Sequence, residues 1–270
     1  MHVVVIIILF IPPHIPYLGL VLVNLKELYE LIIKELRLRS DPVGVKLFKE
    51  LSSVPPNVSR VPDRATICQL STLARLHSLT YYATADDIAC KRGATSLGLI
   101  QLPEDVIVNE DAYAHTVDVD TARKLYTSIP MLPPDYKAVL MGPLNELSVD
   151  PDVVLIAGNP AQMLKVVEGW VWFSGEPATL AATGVHGICG YGIANTLKTS
   201  KLVLTLPCSG ARRVGLYIDD EMVAIVPFNL IDKWVDGLIC THETGHPYPI
   251  PPRIVWNPPP PPHTLLKPKT

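Results

Sequence analysis

The strongest constraint on how this chain can fold is a cysteine pattern that occurs twice. In residues 177–216, Cys189 sits in the run GICGYG. A stretch of small residues with helical character follows, then an apolar strand at 202–206, then Cys208 opening CSGARRVGL. In residues 67–99, Cys68 opens a helical segment, an apolar strand follows at 79–83, and Cys90 opens CKRGATSLGL. Both closing turns read cysteine, a short polar step, Gly-Ala, then Gly-Leu. The separations are similar, 22 residues from Cys68 to Cys90 and 19 from Cys189 to Cys208. A unit of cysteine, helix, strand, cysteine and Gly-Ala turn used twice is expected to bring four thiols together where the copies face each other.

The rest of the chain supplies strands and helices in alternation. Residues 25–38 carry Leu25, Leu28, Leu31, Ile32 and Leu36 at helical spacing, stopped by Ser40-Asp41-Pro42. VGVKLF at 43–48 alternates like a strand, and a Ser- and Pro-rich linker fills 52–63. Residues 106–110 read as a short strand or loop edge. A helix capped by Asp118 or Asp120 is expected over 118–129, and a strand over 138–140. VVLIA at 153–157 reads as a strand buried on both faces, and Gly158-Asn159-Pro160 leads into a helix over 161–172. Residues 216–218 and 222–227 suggest a hairpin around Asp219-Asp220, with Asp219, Asp220 and Glu221 as a solvated tip. A short helix follows at 230–238. The pattern predicts an α/β or α+β fold: a mixed β-sheet with flanking helices in two pseudo-repeated halves.

Three segments divide the chain. Residues 1–24 form an apolar extension, 25–240 a single folded domain, and 241–270 a proline-rich, extended tail. Prolines 12, 13 and 16 interrupt the apolar extension, so membrane association by residues 1–23 is not the expected reading. With a net charge of −3 and 7% aromatic residues, the chain has neither the electrostatic footprint nor the stacking platform of a nucleic-acid binder. Five cysteines are too few for a secreted disulfide scaffold, which points to a cytoplasmic protein with functional or buried thiols.

No CxxC pair, ferredoxin run, P-loop, dinucleotide fingerprint or nucleophile elbow is present. Four separated cysteines in two matched pairs remain, and four thiolates can hold an iron–sulfur cluster or a structural zinc. Glycines beside the cysteines let backbone N–H groups approach sulfur. Lys91 and Arg92 follow Cys90, and Arg212 and Arg213 follow Cys208; such cations favour the thiolate. The bland alternative is that each cysteine is a small buried hydrophobe, which is the reading for Cys240. His186, three residues before Cys189, is a candidate ligand or proton donor. HETGH at 242–246 lacks the HExxH spacing on a helix.

PVGVKLF, the Cys68 helix start, Cys90 with Gly93-Ala94 and Leu97-Gly98-Leu99, Cys189 in its glycine-rich turn, PCSGARR and DDEMVAIVP together resemble the prokaryotic, largely archaeal family named domain of unknown function 169. The resemblance covers residues 25–238 and implies no assigned reaction. The first functional expectation is a redox protein with an iron–sulfur cluster on Cys68, Cys90, Cys189 and Cys208. Gly190, Lys91, Arg212 and Arg213 would complete its surroundings, and the partner would be a redox protein or small molecule. A second is a metal-free protein that binds a small anion through Arg212 and Arg213. A third is a cysteine enzyme with Cys189 as nucleophile and His186 as base.

Overall fold

The computed structural model describes residues 24–250. Residues 1–23 of the apolar extension, and all of the tail after residue 250, lie outside them. The helices are α1 (Leu25–Leu36), α2 (Ile67–His77), α3 (Lys91–Ser96), α4 (Glu104–Ala114), α5 (Val119–Ser128), α6 (Pro160–Ser174), α7 (Asn195–Thr199), α8 (Ser209–Val214) and α9 (Ile231–Glu243). The strands are β1 (Val43–Phe48), β2 (Ser59–Arg60), β3 (Tyr81–Thr84), β4 (Ala138–Pro143), β5 (Val153–Gly158), β6 (Thr179–Ala181), β7 (Val203–Thr205) and β8 (Met222–Pro227). A π-helical segment, Gly187–Ala194, leads directly into α7. The fold is α/β.

The strands form one mixed sheet in the order β2-β3-β4-β1-β5-β8-β7-β6. β1 and β5 pair antiparallel at its centre, with Gly44 opposite Val154. Outward from that pair, each half places the first, fourth, third and second strand of its own segment. Each half also ends in a parallel pair, β2 with β3 and β6 with β7. α2 lies between β2 and β3 in the chain, as the π-helical segment and α7 lie between β6 and β7. α3 follows β3 as α8 follows β7, while α4 and α5 have no counterpart in the second half.

Alternation along the central strands makes two cores. Val153, Leu155, Val223 and Ile225 point to the layer that holds α2, α3, the π-helical segment and α8. Val154, Ile156, Ala224 and Val226 point to the opposite layer of α1, α6 and α9. A strand buried on both faces reads as the continuous apolar run seen in β5, all of which is buried. The Gly-Asn-Pro turn is also explained. Asn159 caps α6 through Gln162, Gln162 reaches back to it, and Pro160 occupies the first helical position.

Three expectations are corrected. Residues 106–110 are neither strand nor edge but the middle of α4, which starts after Pro103 with Glu104 and Asp105 in its first turn and turns Ile107, Val108 and Asp111 inward. No hairpin forms around Asp219-Asp220: β8 pairs with β5 and β7, and residues 216–218 are not a strand. The reason is Glu221, which is buried and accepts from the Ile218 N–H and from the Arg75 guanidinium (2.8 and 3.2 Å), so of the acidic turn only Asp219 and Asp220 remain exposed to solvent as expected. Arg75 also donates to the Leu216 carbonyl and lies 4.2 Å from the Tyr217 ring centre. Finally, α9 runs past residue 240 to Glu243, and its His242 Nδ1 sits 2.7 Å from Glu35 on α1. The first two residues of the HETGH run are therefore helical rather than extended, and both are exposed.

Candidate functional site

Cys68, Cys90, Cys189 and Cys208 line one cleft of about 430 Å³ between α2, α3, the π-helical segment and α8. Each is delivered by a helix start. Cys90 and Cys208 are the residues immediately before α3 and α8, two six-residue helices that carry the matched Gly-Ala steps. Cys68 is in the first turn of α2, whose Thr66 and Gln69 cap each other. Cys189 lies in the first turn of the π-helical segment. That segment packs tightly on the Cys208 turn: a Cβ at Gly187 would stand 2.3 Å from the Leu206 carbonyl oxygen. All five cysteines are free thiols, and Cys240 is buried in α9 on the other face of the sheet.

The four thiols are electrostatically unequal. Cys208 is only half-buried; the Cys68 thiol donates to its sulfur, and so do the N–H groups of Ala211, Gly187 and Gly210. These donors bring its pKa down to about 5, which favours the thiolate. Cys68, as the donor to that sulfur and fully buried, is held well above the ordinary thiol range. Burial raises Cys189, against opposing hydrogen bonds from Ser96 and the Gly190 N–H. Burial also raises Cys90, opposed by the N–H groups of Gly93 and Arg92 and by the Arg92 charge.

Behind the thiols lies a buried polar group. Asp111 of α4 is wholly buried, 2.9 Å from Arg92 and 3.6 Å from His186 Nε2. His186 Nδ1 is 3.4 Å from Ser96 Oγ. Burial lowers the His186 pKa to about 4, outweighing Asp111, whose charge Arg92 already offsets. His186 is thus neutral and holds a left-handed backbone (φ 52°) just before the π-helical segment.

The expected surroundings of the thiols are partly reassigned. Arg213 lines the cleft, but Arg212 is turned away, donating to the carbonyls of Ile218 and Glu221. Lys91 is exposed and not part of the wall; Arg92, one residue on, is. Helical geometry explains this, since adjacent residues point about 100° apart. Gly190 packs against Ser96, Ile129 and His186 and contributes its N–H to Cys189 rather than lining the cleft. His186 contacts Asp111 and Ser96, so the hydrogen bonds that reach Cys189 come from Ser96 and Gly190. Asp111, Ser96 and His115 are additions. Asp111 shares the inward face of α4 with Ile107 and Val108, a carboxylate at apolar spacing that could have marked it.

Among the described residues no three His, Cys, Asp or Glu side chains are grouped closely enough to hold a single metal ion. None of the helices described is long and apolar enough to cross a membrane.

A mixed sheet with a four-cysteine cleft on one face defines an α/β protein with a thiol site. Residues 31–237 match the model of the family described as "Uncharacterised ArCR", domain of unknown function 169, and the chain belongs to that family. It is 27% identical over 213 residues to the uncharacterised protein MJ0308 of Methanocaldococcus jannaschii, covering 77% of this chain and 90% of that protein. No solved structure matches it.

Proposed function

We propose that the chain is an iron–sulfur protein of redox or electron-transfer type, with Cys68, Cys90, Cys189 and Cys208 holding one cluster. The observation that carries this reading is that four cysteines from four separated segments line the same cleft. The donor set fits: four soft sulfur atoms suit iron–sulfur chemistry. The spacing that is too wide for one shared ion is no obstacle, because each thiolate of a four-iron cluster binds a different iron. The two-unit reading of the sequence is supported by the shared strand order of the halves.

When bound, the cluster would supply one-electron chemistry. The chain's own residues prepare the site. N–H groups of Arg92, Gly93, Gly187, Gly190, Gly210 and Ala211 point at sulfur, the kind of hydrogen bonding that stabilises thiolates and tunes potential. Arg92 and Arg213 offset negative charge at the wall, in the part first given to Lys91 and Arg212. Ile67, Val185 and Val214 restrict water.

The rival readings have less behind them. Anion binding through Arg212 loses a guanidinium already committed to two carbonyls. Catalysis by Cys189 and His186 would require a thiolate where burial opposes one.

Anaerobic purification followed by assays for iron and acid-labile sulfide tests the proposal. Brown protein with both elements is expected, and each of the four Cys→Ser changes should lower the content while Cys240→Ser leaves it intact. Folded, colourless protein that takes up no iron and sulfide under reconstitution would end the reading.

A further inference from the structure

Two apolar features flank the cleft, and no described element covers either. The first is convex. The corner between α4 and α5 exposes Tyr113 (95%) and Val117 (86%), and its Ala114 and His115 form one wall of the cleft. The second is concave. A groove of about 340 Å³ runs between α2 and the segment after α8, with Leu73, Leu79, Val214 and Leu216 along it. Val214 lines both the cleft and the groove, so the end of α8 separates them. Leu216 is 59% exposed and held in a left-handed backbone (φ 52°) that a bulky residue rarely adopts. The Arg75 guanidinium fixes it there through the Leu216 carbonyl at 2.8 Å, and the Thr72 hydroxyl through the Gly215 carbonyl. Backbone strain spent on keeping a large apolar side chain at the surface points to a contact, as do apolar residues grouped rather than scattered.

The correspondence of the two halves says what shape the groove lacks. In the first half, α4 and α5 hang from the connection between α3 and β4 and lie against the π-helical segment, where Ser128 bonds the Tyr191 hydroxyl at 2.7 Å. The second half has no such pair after α8, and the corresponding place, beside α2, is the groove. A helical corner would fill it. Charge narrows the choice to the corner of this chain. Asp118 and Asp120 on the corner, and Arg64 and Arg213 beside the groove, are all exposed, and none has an ion pair among the described residues. Asp63, the one acidic residue along the groove, accepts from the Arg64 N–H. Residues 1–23 carry no Asp, Glu, Lys or Arg, and residues 251–270 carry Arg253, Lys267 and Lys269 with no acidic residue. Neither segment offers the carboxylates that the corner brings to two free arginines.

We propose that two copies of the chain pair about a two-fold axis over the cleft mouth, the α4–α5 corner of each seated in the α2–α8 groove of the other. Corner and groove lie on opposite sides of the cleft, so a single rotation forms both contacts and the assembly closes as a dimer. Tyr113 and Val117 then cover Leu79, Val214 and Leu216, while Asp118 and Asp120 approach Arg64 and Arg213. Each copy shields the other's cleft mouth from bulk water. The pairing does not depend on what the cleft holds, so it stands or falls apart from the cluster reading.

The test uses the full-length chain. Sedimentation velocity at micromolar concentrations should show a dimer. Val117→Asp and Leu216→Asn, the latter chosen because asparagine tolerates the left-handed backbone, should each weaken pairing at least about tenfold, since each spoils an apolar contact at both junctions. Mixed, the two variants should pair more tightly than either does alone. The mixed dimer keeps one junction intact and puts both defects in the other, where contacting residues do not add. A second measurement needs neither variant. With p-benzoylphenylalanine in place of Tyr113, illumination of mixed unlabelled and isotope-labelled chains should join the two labels at peptides spanning 61–81 or 214–218. A chain that is monomeric at every concentration, a dimer that both variants leave unchanged, a mixture no tighter than its components, or cross-links confined to one chain or to residues 1–23 or 251–270 would overturn the proposal.

Discussion

Arg75 and Glu221 show how single side chains hold the cleft in place. Their bidentate pair is almost sealed from water, with side-chain exposures of 1% and 10%, and it ties α2 to the segment between α8 and β8. Removing one partner strands the other charge in the interior, so Arg75→Ala is expected to cost about 3–5 kcal/mol in urea denaturation, whereas a surface pair such as Lys201–Glu176 should cost under about 1 kcal/mol. His186 makes a pH prediction. Its folded pKa is lowered to about 4, below the ordinary histidine value of 6.5, so between these values the unfolded chain binds the proton and the folded chain does not. Stability should fall as pH drops from about 6.5 to about 4, and His186→Asn, which keeps a side chain tolerant of the left-handed backbone, should flatten that part of the curve. An unchanged slope in the variant would assign the acid sensitivity elsewhere. These partners were hard to read in the sequence because they join distant segments: Arg75 meets Glu221 across 146 positions. A local trace did exist, since Cys68, Thr72 and Arg75 recur at helical spacing on the buried face of α2.

The elements that were legible are those whose patterns agree at several levels. β5 and α6 combine an apolar run, a Gly-Asn-Pro turn and a capping pair, and they fold as expected. The failures have equally local causes. α4 has only a weak apolar face, three inward residues among many polar ones, so its helical period is faint. The π-helical segment is buried throughout and has no polar face at all, so its sequence carries no period to distinguish it from an α-helix. The packing of α6 on α9 also depends on residues without a pattern. A Cβ at Gly237 would lie 2.1 Å from the Gly169 carbonyl oxygen, and one at Gly169 would lie 2.8 Å from Leu238 Cδ2. Gly237→Ala must therefore separate the two helices. A loss of about 1–3 kcal/mol is expected in thermal or urea unfolding, although alanine is the better helix former. Unchanged or increased stability would show that the helices are not held this closely.

For the molecule as a whole, the matched Cys–Gly-Ala turns were the informative part of the sequence. They indicated which four sulfurs to compare, and the sheet places all four on one face, beside helix starts that occupy corresponding positions in the two halves. What the turns could not convey was the wall of the cleft, because α4, inserted in one half alone, brings His115 to it at its C-terminal end and Asp111 behind it. The account therefore stands on the cluster that this cleft is proposed to hold. The most direct measurement is an anomalous difference map at the iron edge from crystals grown without oxygen. The account predicts one compact iron peak enclosed by the sulfurs of Cys68, Cys90, Cys189 and Cys208. An ordered cleft without iron, in crystals of protein reconstituted with iron and sulfide, would contradict it.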